Sequence, residues 1–89
     1  MNITKMSALI MKHPEFLVSC YKRQSTTTRN KLLHDVMITA IEAGDRQHVE
    51  EALSNRWYKA PLEGVIYCMD TEFDVVNEFI KVFEGDANV

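Results

Sequence analysis

Apolar positions recur along this chain at helical spacing. Ile3, Met6 and Ile10 share one face of a first helix. After His13-Pro14, where proline suits the first turn of a new helix, Phe16, Leu17, Cys20 and Tyr21 repeat an i, i+1, i+4, i+5 pattern. Together they predict a helical hairpin. The polar run "QSTTT", Gln24 to Thr28, breaks the pattern with hydroxyls that can accept from the free amides of the next helix. Leu33, Val36, Met37, Ala40 and Ile41 then mark the apolar face of a helix from about Arg29 to Ala43.

Gly44 can take the left-handed conformation that ends such a helix, and Asp45 is placed to cap the next one. Val49, Ala52 and Leu53 give that helix its apolar face, and it stops near Ser54-Asn55. Beyond the connection "NRWYKAP", Pro61 opens a short helix through Tyr67, and Asp70 or Thr71 caps a last one. Its stripe is Phe73, Val76, Ile80 and Phe83, widened by Val75, Phe79 and Val82. Gly85 closes it, leaving "DANV", residues 86–89, as a frayed tail. Strand competes only at "EGVIYCM", where no second strand is available to pair.

The expectation is an all-α domain of five to six helices, either a small bundle or an irregular stack of three hairpins, spanning residues 1–89. "ALIMKHPEFLVSCY", "TAIEAGDRQHVEEAL" and "VIYCMDTEFDVVNEF" each run from an apolar helix end through a polar turn into another amphipathic helix. None of these pieces can bury its apolar face alone, so they must pack together.

The middle piece resembles the helical core of an ankyrin repeat. A small residue, a glycine turn and a valine-containing second helix are matched by Ala40, Ile41, Gly44, Val49 and Leu53, whereas "VMIT" stands where that family has Thr-Pro-Leu-His. The resemblance covers Ala40 to Leu53 and implies a protein-binding role without catalysis. As a whole the chain is also similar in type to the small accessory proteins of T4-type phages, cytoplasmic antiholins among them, which would make it an inhibitor of lysis or a modulator of host proteins.

Eighty-nine residues with 46% apolar content suffice for one modest core. The longest apolar runs, "ALIM" and "VIYCM", are far too short to span a bilayer, which takes about 20 residues. The N-terminal stretch lacks a signal-peptide core and cleavage site, and a cytoplasmic location is expected. Cys20 and Cys68 form no C-x-x-C pair and are read as reduced, buried thiols. Their spacing with His13, His34 and His48 matches none of the usual zinc ligand pairs, so neither a metal nor another cofactor is expected.

Charge is sorted along the chain. Up to His34 there are six bases and the single acid Glu15; from Asp35 onward there are four bases and twelve acids. The basic third either pairs with the acidic remainder or meets an anionic partner, and Lys22, Arg23, Arg29 and Lys31, flanking a hydroxyl-rich turn, are the candidate contacts to nucleic acid or another anion. No basic helix carries base-reading side chains spaced for a groove.

Catalytic signals are absent: there is no phosphate-binding glycine loop and no paired carboxylates on an apolar cleft. His48 with Glu51 or Glu42 could form an acid–base pair, but a histidine on an exposed first turn is ordinarily solvated. The expected function is therefore non-catalytic: stoichiometric binding and modulation of a protein partner, with homo-oligomerisation open. Arg56, Trp57, Tyr58 and Lys59 are the candidate partner-binding residues, because aromatics beside cations anchor interfaces. The alternative is that Trp57 is packed inward between two hairpins and only Tyr58 is available.

Overall fold

A computed structural model describes residues 1–24, 27–69 and 74–85. It contains six α-helices: α1 (Ile3–Lys12), α2 (Pro14–Gln24), α3 (Thr28–Glu42), α4 (Arg46–Ser54), α5 (Lys59–Tyr67) and α6 (Asp74–Glu84), with a 3₁₀ turn at Arg56–Tyr58. No strand occurs among the described residues, and "EGVIYCM" is helical through Tyr67. The residues expected to cap the last helix, Asp70 and Thr71, lie outside the described residues, as do Phe73 and the tail 86–89.

Local chemistry sets the helix ends. Asn2 accepts from the Lys5 amide at 3.0 Å, and Thr27 accepts from the Asn30 amide at 3.2 Å, so one hydroxyl of the polar run does cap α3. Pro14 is the first residue of α2, the position where its missing N–H costs nothing. Pro61 does not open α5. The 3₁₀ turn runs directly into that helix at Lys59, and Pro61 sits in the first turn, where an amide has no intrahelical partner to lose.

The core joins Met6 and Ile10 of α1, Leu17, Cys20 and Tyr21 of α2, Met37 and Ile41 of α3, Val49 and Leu53 of α4, Leu62, Val65 and Ile66 of α5, and Val76 and Phe79 of α6. Side chains of this size contribute about 1.5–3 kcal/mol each when fully buried. The helices form a small bundle in which partners distant in sequence pack together. α1 lies chiefly along α4 and also touches α6, and α2 lies between α3 and α5. α1 and α2 meet only lightly, because the single residue His13 between them turns the chain into a corner; the closely packed first hairpin expected from the pattern does not form.

A polar seam locks α1 onto α4. The fully buried Ser7 hydroxyl lies 3.1 Å from the Thr4 carbonyl and 3.0 Å from Glu50 Oε1, and it donates to either oxygen. Arg46 donates to Glu50 at 3.2 Å and to the Thr4 carbonyl at 3.4 Å. Four polar groups thus satisfy one another at the edge of the core, which keeps Ser7 from being a buried unpaired hydroxyl.

Candidate functional site

The corner between α3 and α4 is built by its own sequence. Gly44 has φ +69°, its N–H donates to the Ile41 carbonyl, and the Asp45 N–H reaches back to the Ala40 carbonyl, each at 3.0 Å. That pairing is a Schellman motif, in which a left-handed residue lets the chain satisfy the last carbonyls of a helix while turning away. Asp45 then caps α4 by accepting from the His48 amide at 3.1 Å. The two helices pack against each other through this turn, and an open groove of about 710 Å³ is lined by residues of both.

The floor of this groove is small and apolar, formed by the buried Ala40 and Ala52, and the exposed Leu32, Val36 and Ala43 line it on the α3 side. Leu32 is 64% exposed and Val36 52% exposed. Val36 was expected on the buried face of α3. It is displaced because the face turned inward consists of His34, Met37, Ala40 and Ile41, with the histidine taking a core position one turn before Ile38.

His34 can be buried because its needs are met locally. Its Nδ1–H donates to the Tyr21 carbonyl at 3.0 Å, and its ring stands edge-on to Tyr21 with centroids 4.7 Å apart. Burial pushes its pKa below the ordinary histidine value.

At the end of the groove where α3 begins and α4 ends, the 3₁₀ turn places the two aromatics on opposite sides. Asn55 accepts from the Trp57 amide at 3.1 Å through its side chain and from the Tyr58 amide at 3.0 Å through its carbonyl. Successive residues of a 3₁₀ turn point about 120° apart. Tyr58 therefore enters the core, 7% exposed, while Trp57 stays outside, 48% exposed. Of the two expected anchors, Trp57 is available and Tyr58 is spent on packing, with only its edge reaching the groove.

Trp57 is flanked by two guanidinium groups, Arg29 Cζ at 4.5 Å and Arg56 Cζ at 4.9 Å from the ring centroid. The two sets of residues singled out in the sequence thus meet in space at Arg29 and Trp57. The rest of the basic set is dispersed: Lys22 pairs with Glu42 at 3.6 Å, Arg23 donates to Cys20 Sγ at 3.2 Å, and Lys31 is exposed on α3. Lys59 is exposed at the start of α5.

His48 does not pair with Glu42, which faces Lys22, and its ring nitrogen Nδ1 bonds instead to the Asp45 carboxylate. That side-chain bond raises the His48 pKa, and the amide and ring bonds from His48 lower that of Asp45. Cys20 is buried but Cys68 is exposed at the end of α5, contrary to the expectation of two buried thiols: it follows the exposed Tyr67 on the outer side of the helix end, and it is the next residue, Met69, that turns into the core. Among the described residues no group of three His, Cys, Asp or Glu side chains is placed to hold a metal ion, and no helix is long and apolar enough to cross a membrane.

The groove itself was not legible as a site. Leu32 stands out of phase with Leu33, Met37 and Ala40, and that phase break is the signal a reader could have used. The chain matches no protein-family model, no curated protein and no solved structure.

Proposed function

We infer that this protein is a non-catalytic interaction module that binds a protein partner stoichiometrically through the α3–α4 groove and the adjoining Trp57. The observation that carries the reading is the exposure of Leu32 and Val36 in one groove, together with that of Trp57, which is held to the start of the same helix by Arg29. The other large apolar residues exposed among the described residues, Met1 and Tyr67, lie elsewhere, and Tyr67 donates to Glu84 at 2.6 Å. Scattered apolar residues are ordinary on a protein surface, but a contiguous set rimmed by charge marks an interface. The α3–α4 corner is the part of the chain that resembles an ankyrin repeat, and that family's protein-binding role agrees with this reading.

Binding of nucleic acid by the basic third is the weaker reading. Lys22 is paired with Glu42, Arg29 lies on Trp57, and the neighbouring groove carries the carboxylates of Asp35, Asp45 and Glu51. The test is quantitative capture from the native cell with the wild-type chain and with Leu32→Asp/Val36→Asp. Both positions are exposed, so the variant should keep its helical circular dichroism. Loss of a wild-type protein partner supports the reading; retention of every partner, or capture of nucleic acid alone, refutes it.

A further inference from the structure

We propose that the occupant of the α3–α4 groove is a cationic amphipathic helix of a partner protein, its apolar stripe on Leu32, Val36 and the alanine floor and its lysines or arginines against Asp35 and Glu51. This rests on the reading of the groove as a protein-docking surface and names the chemistry that the surface selects.

Shape comes first. From Leu32 to Ala43 the wall of the groove runs about 17 Å at the rise of an α-helix, the length of some three turns of a docked helix. Alanines at the floor allow a helix backbone to approach closely, as bulkier residues there would not. Among the described residues there is no strand whose edge could accept an extended peptide by sheet addition.

Charge then selects the partner. The groove is lined by Asp35, Asp45 and Glu51 and by no lysine or arginine. Asp45 is engaged by His48, but Asp35 and Glu51 form no ion pair with a lysine or arginine among the described residues. Glu51 accepts only a long bond from Gln47, 3.4 Å. Asp35 lies on α3 and Glu51 on α4, so each of the two helices brings a carboxylate to the lining of the groove. Arg29 and Arg56 are turned onto Trp57 beyond the end of the groove, and His48, the one lining residue that can carry positive charge, is bonded to Asp45 and meets Glu51 only through space. A helix lying between the walls meets carboxylates on both flanks, so cationic side chains on either side of its apolar stripe are what the site rewards.

The same charges disfavour a second copy of this chain. A two-fold contact made through the groove would set its acidic lining against the same acidic lining of the other copy, and like charges opposed at an interface disfavour association.

The test uses the full chain and two synthetic helical peptides with one alanine-leucine stripe, one flanked by lysines and its twin by glutamates. Titrations are followed by peptide fluorescence anisotropy and by backbone amide NMR shifts. The lysine peptide should bind saturably one to one, shift the amides of Leu32, Val36 and Glu51, and lose at least tenfold in affinity in Asp35→Asn/Glu51→Gln. The control Glu63→Gln/Glu78→Gln, which removes the same charge from α5 and α6, should leave affinity unchanged. Equal losses in both variants would mean non-specific attraction to an acidic protein and would overturn the proposal. Preferential binding of the glutamate peptide to the same amides would overturn it while leaving the groove as a docking surface. Shifts confined to other surfaces, or no binding by either peptide, would remove the proposal and count against the groove itself. Sedimentation showing a dimer broken by Leu32→Asp/Val36→Asp would assign the groove to a second copy and overturn the proposal too.

Discussion

Arg29, at the start of α3, lies over the indole of Trp57, in the turn that follows α4, with its Cζ 4.5 Å from the ring centroid. This contact joins the basic first third of the chain to the aromatic connection and covers one face of the chain's only tryptophan without burying it. The emission of Trp57 should accordingly be that of a partly exposed indole, with a long-wavelength maximum and ready quenching by acrylamide. Arg29→Ala should increase quenching and lower stability by no more than about 0.5–1 kcal/mol, the range for an exposed cation–aromatic contact. A blue-shifted signal inaccessible to quencher would show that Trp57 is packed inward.

Gly44 and Gly64 should respond to alanine in opposite senses. Neither has an atom within 4 Å of the position a Cβ would take, so steric crowding decides nothing at either site. Gly44 has positive φ, and an L-residue there costs roughly 1–2 kcal/mol. Gly64 lies inside α5, where alanine is favoured over glycine by about 0.5–1 kcal/mol. Chemical denaturation of Gly44→Ala and Gly64→Ala should therefore move the midpoint down and up respectively. A stabilised Gly44→Ala would mean that α3 does not end in the left-handed turn.

His34 and His48 should impose opposite pH dependences. Burial holds the folded-state pKa of His34 below its unfolded value of about 6.5, so the unfolded chain takes the proton first. Its contribution is present above that value and is lost as pH falls toward the folded pKa. The bond to Asp45 raises the folded pKa of His48, so that contribution is complete below about pH 6.5 and is lost as pH rises through the raised value. Asp45, with its pKa lowered, loses its own contribution only at more acid pH. The melting temperature of His48→Asn should fall short of wild type at pH 6 and converge with it toward pH 8.5. A difference that widened with pH would contradict the Asp45–His48 bond.

The Tyr21 hydroxyl is buried without a hydrogen-bond partner among the described residues, and burial, helped by nearby Tyr58, raises its pKa strongly. A buried hydroxyl left unpaired costs about 1–3 kcal/mol, whereas its replacement by hydrogen retains the packing. Tyr21→Phe should leave the protein as stable or raise the denaturation midpoint, with the Tyr21–His34 ring contact preserved. A clear loss of stability would reveal a bond made by that hydroxyl.

Most of the local structure was legible in the residues themselves; the 3₁₀ turn that starts α5 ahead of Pro61 was not. A period near 3.6 marked the helices, Thr27 and Asp45 supply the oxygens that cap α3 and α4, and Gly44 supplies the one backbone conformation that turns α3 into α4. These effects act within a few residues, so no knowledge of neighbours is required. What lies across the chain was decided only by packing. An apolar stripe tells which side of a helix prefers to be covered but not which edge of that stripe a neighbour reaches, and so His34 is inside while Val36 and Leu32 are outside. Adjacent aromatics cannot both enter one core from a tight 3₁₀ turn, and only the placement of α5 against α2 and α3 shows that Tyr58 is the one taken in. The groove follows from those same choices: it exists because α1 packs on the far side of α4 and leaves the α3–α4 face uncovered, a fact of tertiary arrangement that no segment of the sequence contains.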